Sequence, residues 1–173
     1  ALAMSHRFCL VAPGDYPSTH KITEAMALGG AGGCIPVFVL PVDTRRARAL
    51  RKGEKIESAV ARNLPFTRWL DYCDVAYLVT EGAAASDFSS AIAKLRAIPE
   101  AEAASKLAAL HAVRDAFVFR PASSGVPTAA DYILSEACDA AGRTAQPRDG
   151  GGVHDEHGSP PIVGGNHMRC LLA

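Results

Sequence analysis

The sequence predicts an α/β domain: a Rossmann-like parallel sheet flanked by helices, followed by a helical C-terminal region. Three observations lead to this class. Residues 7–39 have the order strand, loop, helix, glycine-rich turn, strand. A short apolar segment, Val75–Val79, predicts a further strand, and from Ser86 onward apolar residues recur at helical spacing. A helix that joins two strands in this way makes them parallel, with a right-handed crossover.

The first strand–helix–strand unit is the most clearly patterned part of the chain. An apolar run over 7–12 is ended by Pro13 and Gly14, which favour a turn. Ile35–Leu40 is apolar throughout, as expected of a strand that is covered on both faces. Between them, four residues at helical spacing predict one buried helix face: Ile22, Ala25, Met26 and Gly29.

Two segments follow the second strand. The connection 41–63 is rich in arginine and lysine, and a helix is expected over 44–52. This run is either a basic patch for an acidic sugar polymer or a diphosphate, or a solvated insertion. Leu64–Cys73 has apolar residues at helical spacing, which predicts a short amphipathic helix that places Trp69 in the core.

The C-terminal half is predicted to be helical and then unstructured. Ser86 is the expected N-cap of one helix, Pro99 fits the first turn of the next, and Thr128 with Asp131 resembles a capping box. The predicted domain spans 6–141. Residues 142–173 are rich in Gly, Pro and charged side chains, which predicts a flexible tail.

Composition excludes some classes of function. The 173 residues carry 18 basic and 18 acidic side chains, so net charge gives no drive toward nucleic acid. No segment is long and apolar enough to span a bilayer, and no signal peptide is evident. Because the chain starts near a strand and without Met, we expect a piece of a longer protein. The five cysteines lack metal-ligand spacing; Cys9 and Cys34 either form a disulfide or are small buried residues.

The loop between the first strand and the first helix is the candidate site. Such a loop meets a helix N-terminus, where backbone N–H groups and the helix dipole favour an anion. Gly14 allows close backbone approach, while hydroxyl and basic side chains follow it. Glu24, one turn into the helix, can accept hydrogen bonds from ribose hydroxyls; alternatively, Lys21 and Glu24 are only a solvated pair. Glu81 is a second candidate contact, or an exposed loop acid, because it follows the last predicted strand.

Two segments carry a family resemblance. FCLVAPGDYPSTHKITEAM with GCIPVFV, and LPFTRWLDYCDVAYLVTE, resemble in order and spacing the conserved blocks of the exostosin-type glycosyltransferases, glycosyltransferase family forty-seven. The similarity covers 7–81, and a weaker one continues to about Cys138. The chain departs from the family at His20 and Lys21, which replace an arginine pair, in the extra glycines of 29–33, and in the longer, basic connection 41–63.

The resemblance implies the donor-binding half of a GT-B glycosyltransferase. Such an enzyme transfers a sugar from a nucleotide sugar, here expected to be a UDP-sugar, to a glycan acceptor with inversion and without a metal or other cofactor. It implies a Golgi-lumen location, a membrane anchor upstream of this segment, and an N-terminal GT-B domain that completes the site; the catalytic base is not assigned. The expected donor-binding residues are Gly14, Asp15, Ser18, Thr19, His20, Lys21, Glu24 and Glu81.

Two other classes remain open. A catalytically degenerate module would bind a nucleotide or a partner protein without turnover. A flavodoxin-like or receiver-type signalling domain shares the strand–helix–strand unit, but it needs clustered acidic residues at strand ends or an aromatic flavin loop, and neither is evident in the sequence.

Overall fold

The structure is a computed structural model that describes residues 6–14, 20–29, 31–41, 56–144 and 167–172. The predicted helix over 44–52 and the basic connection around it lie outside these residues, except for 56–63. The elements in chain order are β1 (Phe8–Val11), α1 (Lys21–Gly29), β2 (Ile35–Leu40), α2 (Ile56–Asn63), α3 (Tyr72–Val75), β3 (Tyr77–Thr80), α4 (Glu81–Ala97), α5 (Glu100–Val113) and α6 (Ala129–Thr144). Short 3-10 turns cover Arg114–Phe117, Ala122–Ser124 and His167–Cys170.

The three strands form one parallel sheet in the order β1-β2-β3. Leu10 lies opposite Val37, and Phe38 lies opposite Leu78. The predicted class, an α/β chain with a parallel sheet flanked by helices, is confirmed, and the layout is compatible with a Rossmann-like fold. Within the described ranges, no helix combines the length and apolar character needed to cross a membrane.

The core forms where the predicted apolar patterns meet. Every residue of β2 is buried, as its continuous apolar sequence predicts. The buried residues of α1 are the four that its spacing predicts: Ile22, Ala25, Met26 and Gly29. Gly29 is also a packing requirement, because a Cβ there would overlap Leu110 of α5 and lie 2.7 Å from the carbonyl oxygen of Cys34. The end of α1 therefore approaches α5 more closely than any side chain would allow.

The predicted amphipathic helix over 64–73 is wrong. Residues 64–70 form turns, and only Tyr72–Val75 are helical. Phe66 has a φ of 60°, outside the helical region, and the preceding Pro65 lacks an N–H donor. Asp71 then caps α3 by accepting a hydrogen bond from the Cys73 N–H at 2.8 Å.

Trp69 accordingly lies at the edge of the core and not inside it. Its side chain is 41% exposed, and its ring centroid lies 5.5 Å from that of Phe66 and 5.4 Å from that of Tyr132. The turn has rotated the indole away from the sheet, while Leu70 and Cys73 remain buried as predicted.

Helix boundaries in the C-terminal half follow their capping residues. α4 begins at Glu81 with Thr80 as its cap, whose Oγ1 accepts from the Ala83 N–H at 3.1 Å. The predicted N-cap Ser86 is off by one residue, because the second part of α4 is capped by Asp87, whose Oδ1 accepts from the Ser90 N–H at 3.2 Å. The backbone of Asp87 leaves the helical conformation inside α4. The capping box before α6 is present, since the Thr128 N–H donates to Asp131 Oδ2 at 2.8 Å.

Residues 167–172 are attached to the sheet, although they belong to the segment for which the sequence predicts a flexible tail. The Leu172 N–H donates to the Leu78 carbonyl at 2.9 Å, and Leu171 pairs with Leu78 in a parallel bridge. Arg169 forms ion pairs at 2.7 Å with Asp71 and Asp74. A short C-terminal segment thus covers the outer edge of β3.

Four of the five cysteines form disulfides. Cys9 pairs with Cys34 at a Cα–Cα distance of 5.5 Å, so the disulfide alternative holds for this pair. Cys73 pairs with Cys170 at 5.3 Å, which joins the C-terminal segment to α3. Cys138, on α6, is free and exposed. Two intramolecular disulfides in a chain of this size are typical of an oxidising compartment.

Candidate functional site

The candidate site lies at the start of α1, on the side of the sheet where the strands end. We call this side the carboxyl edge and the opposite side, where the strands begin, the amino edge. The first hydrogen bond of the α1 ladder runs from the Glu24 N–H to the His20 carbonyl at 3.2 Å. The first turn of a helix offers its N–H groups to an anion or to capping side chains. The parallel βαβ arrangement therefore places the start of α1 where such folds bind ligands.

Three charged or polar side chains meet on the first turn of α1. Lys21 Nζ lies 3.1 Å from Glu24 Oε2, and His20 Nε2 lies 3.9 Å from Glu24 Oε1. All three side chains are more than half exposed. Of the two interpretations that the sequence left open, a solvated Lys21–Glu24 pair therefore matches the geometry in the absence of a ligand. A ribose hydroxyl that donates to Glu24 would compete with these contacts.

A cleft of about 400 Å³ opens beside this turn. We call it the α1 cleft. His20, Ile22 and Thr23 line one wall, and the end of α2 with the following loop lines the other. The residues of that second wall are Arg62, Asn63, Leu64 and Pro65. The imidazole and the guanidinium give the cleft two groups that can donate hydrogen bonds to an anion.

The α1 cleft joins the two segments that carry the family resemblance. Thr23 belongs to the first segment, and Leu64 and Pro65 begin the second, 41 residues after Thr23. Asn63 is held in place by a hydrogen bond from its side-chain amide to the Ala59 carbonyl at 2.8 Å. The sequence did not predict Thr23, Arg62 or Asn63 as site residues. The signal that points to Arg62 and Asn63 is their position directly before the Leu64-Pro65 pair.

The other predicted site residues fall into two groups. Asp15, Ser18 and Thr19 lie outside the described residues. Gly14 lies in the described part of the loop, where a Cβ would have no neighbour within 4 Å. Glu81 is the first residue of α4, after β3, and does not line the α1 cleft. Because β1 and β3 are separated by β2, Glu81 is about 10 Å from the β1 side of the sheet by strand spacing alone.

In the described part of the chain, no three His, Cys, Asp or Glu side chains are close enough to hold a metal ion together. At the α1 cleft, two hydrogen-bond donors, a helix N-terminus and one adjacent carboxylate can bind a phosphate-bearing ligand with a hydroxylated neighbour.

Comparison with known proteins gives no relative for this chain: no family model, no curated protein and no solved structure matches it.

Proposed function

We propose that this chain is the donor-binding half of an exostosin-type, GT-B glycosyltransferase, which transfers a sugar from a UDP-sugar to a glycan acceptor. One observation carries the proposal. The two separate sequence segments that resemble this family line the same cleft, at the start of the first helix of a parallel βαβ unit. In open parallel α/β sheets, ligands bind at this edge.

The roles proposed for the residues follow from their chemistry. Gly14, Asp15, Ser18 and Thr19 belong to the loop that would surround the diphosphate. His20 and Lys21 would neutralise its charge, although neither offers the two-pronged geometry of an arginine. Glu24 would exchange its contacts with Lys21 and His20 for the ribose hydroxyls. Glu81, farther along the same edge, would contact the donor sugar.

The disulfides support the proposed location. Cys9–Cys34 and Cys73–Cys170 have Cα–Cα distances that fit ordinary disulfides, and such bonds persist in the secretory pathway and outside the cell. A Golgi-lumen enzyme works in such a compartment. The upstream membrane anchor and the N-terminal GT-B domain belong to the same proposal.

The mechanism implied is direct displacement with inversion. A base removes the proton of an acceptor hydroxyl, the oxygen attacks the anomeric carbon, and the diphosphate leaves with the bonding electron pair. The helix N–H groups and the neighbouring cations of this half would stabilise the departing charge. The base would come from the acceptor-side domain, so this chain alone would bind the donor without turnover.

A degenerate nucleotide- or partner-binding module is the second candidate. The observation that favours it is the Lys21–Glu24 contact at 3.1 Å, which engages both residues with each other in place of an arginine pair and a free carboxylate. This candidate predicts that arginine at positions 20 and 21 would raise the affinity for a nucleoside diphosphate.

Calorimetric titration with uridine diphosphate tests the proposal. We expect the wild type to bind, the Lys21→Ala/Glu24→Ala double variant to lose binding, and an exposed control on α4, Lys94→Ala, to bind like the wild type. Equal binding by the double variant would remove the donor site from α1. If the wild type binds uridine diphosphate only at millimolar concentration and the His20→Arg/Lys21→Arg variant binds it more tightly, the degenerate module is favoured.

A further inference from the structure

A second cavity lies under α6 and adjoins the α1 cleft, with which it shares Thr23 and Pro65 in its lining. We call it the aromatic pocket. Its volume is about 200 Å³, and its lining includes Phe66, Phe117, Phe119, Ile133 and Glu136. An apolar cavity of about 150 Å³ is large enough for a benzene ring. Of the proposed donor-binding residues that the structure describes, none lines this pocket, so its ligand goes beyond the proposed function.

Glu136 is the one acidic side chain in this lining. Its Oε1 is buried and has no hydrogen-bond partner in the part of the chain that the structure describes. Burying a carboxylate oxygen without a hydrogen-bond donor destabilises a protein by several kcal/mol, because the oxygen loses its hydration and gains no bond in return. The pocket therefore contains an acceptor whose hydrogen-bonding capacity a bound ligand can satisfy.

Three phenylalanine rings line the pocket together with Glu136. The rings of Phe66 and Phe117 pack edge to face, with centroids 5.3 Å apart and an interplanar angle of 76°. Phe119 is 69% exposed and stands at the rim. The faces of aromatic rings attract cations, and cages of such rings recognise organic ammonium groups.

The backbone of the pocket wall gives an independent indication. Phe66 has a φ of 60°, a conformation that is rare for a bulky side chain and costs about 1–3 kcal/mol. Such residues cluster at ligand sites, where the surrounding structure holds them in place. Here the left-handed turn is what brings the Phe66 ring against Phe117 and Tyr132.

We propose that the aromatic pocket binds an organic ammonium ion, with its apolar body against the phenylalanine rings and its nitrogen donating to Glu136. A neutral apolar molecule would fill the cavity but would leave Oε1 without a donor. A neutral alcohol would satisfy Oε1 with one hydrogen bond and would pack on the rings, but it carries no positive charge for their faces to attract. The ammonium ion satisfies both features at once.

Titration followed by amide chemical shifts, with benzylammonium and benzyl alcohol as matched probes, tests this site. We expect the full chain to bind benzylammonium about ten- to a hundredfold more tightly than benzyl alcohol, because the ammonium charge adds an ion pair with the carboxylate and attraction to the ring faces. Shifts should centre on Phe66, Phe117 and Glu136. Equal affinities for the two probes would overturn the proposal.

Two variants and one control assign the contacts. Glu136→Gln should lower benzylammonium affinity to that of the alcohol, while Glu57→Gln, an exposed acid on α2, should leave it unchanged. Phe119→Ala should weaken benzylammonium about two- to fivefold by removing one ring face. Because the Phe119 ring is mostly exposed, this variant tests the site even if Glu136→Gln does not fold, and unchanged affinity in either variant would overturn the assignment.

The ammonium group can belong to a free amine or to a lysine side chain. A third probe, lysine with both main-chain ends capped, separates these sources. If it displaces benzylammonium, the natural ligand is a lysine side chain; if only benzylammonium binds, the ligand is a free amine. Either result supports an ammonium site, and failure of both cations to bind overturns it.

Discussion

The two edges of the sheet hold their charged residues in different ways. At the amino edge, ionisable groups are bonded across elements and accompanied by two disulfides, and Tyr77 and Lys106 among them are buried. In the described part of the carboxyl edge, the ionisable groups at the start of α1 are exposed and contact one another within a single helical turn. The comparison separates side chains that hold the fold together from side chains that can change partners.

The amino edge is organised around Tyr77, Glu102 and Lys106, which we call the amino-edge cluster. The Tyr77 hydroxyl donates to Glu102 Oε1 at 2.5 Å, and Lys106 Nζ lies 4.4 Å from the centre of the Tyr77 ring. Lys106 also donates to the Cys73 carbonyl, and only 8% of the residue is exposed. Burial lowers the pKa of Lys106, against the opposing charge of Glu102. These groups have little freedom to take a ligand, because each already holds another element.

The start of α1 has the opposite character. His20, Lys21 and Glu24 are three or four residues apart on one helix and are well hydrated. Exposed pairs of this kind contribute about 0.2–0.5 kcal/mol each, so replacing one partner with a ligand group has a small cost. The edge at which we propose that a ligand binds is thus the edge whose charged groups are held by exposed, weak contacts.

The largest expected effect comes from breaking the covalent part of the amino edge. The Cys73–Cys170 disulfide closes a loop with a sequence separation of 97, whereas Cys9–Cys34 spans 25. The loss of loop-closure entropy in the unfolded chain gives about 4.7 kcal/mol for the longer loop and about 3.5 kcal/mol for the shorter one. We therefore expect Cys73→Ala/Cys170→Ala to reduce the free energy of unfolding more than Cys9→Ala/Cys34→Ala.

Urea denaturation of both double variants, beside the wild type, measures this difference. Cys138→Ala is the control, because that thiol is free and exposed. A larger loss in the Cys9/Cys34 variant would mean that the C-terminal segment contributes less to the fold than its contacts with α3 and β3 indicate.

The second prediction concerns alkaline pH and Tyr77. Burial, followed by the hydrogen bond to Glu102, raises the pKa of Tyr77 above its ordinary value of 10.0. The neutral phenol therefore contributes stability that is fully present below about pH 10 and is lost as the pH rises further, because the unfolded chain releases the proton first. We expect Tyr77→Phe to lose less stability than the wild type between about pH 9 and pH 11.

Denaturation across this pH range tests the assignment. Tyr132→Phe is a suitable control, since its ring is only partly buried at the edge of the core. Equal slopes of stability against pH in the wild type and in Tyr77→Phe would show that Tyr77 is not protected by the amino-edge cluster.

The sequence predicted the fold best where burial has a simple period. The apolar run of β2 and the four buried residues of α1 were read correctly, because strands covered on both faces and amphipathic helices impose those patterns directly. The turn over 64–70 was missed because its apolar spacing also suits a helix. The left-handed φ of Phe66 prevents a helix there, and the spacing of apolar residues does not indicate it.

The sites show the same limit. The start of α1, with His20, Lys21 and Glu24, follows from local order along the chain. The opposite wall of the α1 cleft, Arg62 and Asn63, faces α1 only in the folded chain, and the Cys73–Cys170 pairing depends on a contact across 97 residues. The cysteine pairing leaves no local signal, because spacing among cysteines does not determine their connectivity, whereas Arg62 and Asn63 are marked only by their position directly before Leu64 and Pro65.

The smallest effect is expected at Glu24, and it tests the comparison most directly. Glu24 and Glu57 are both first-turn acids, on α1 and α2. Because its contacts with Lys21 and His20 are exposed, Glu24→Gln should change the free energy of unfolding by less than about 0.5 kcal/mol, like Glu57→Gln. Urea denaturation at low and high salt measures both. A loss at Glu24 above about 1 kcal/mol would place this carboxylate among the groups that hold the fold, beyond the range of exposed pairs. The contact between Glu24 and Lys21 would then be too strong for a ribose hydroxyl to replace it. The charged residues of the two edges would no longer differ in how strongly they are held.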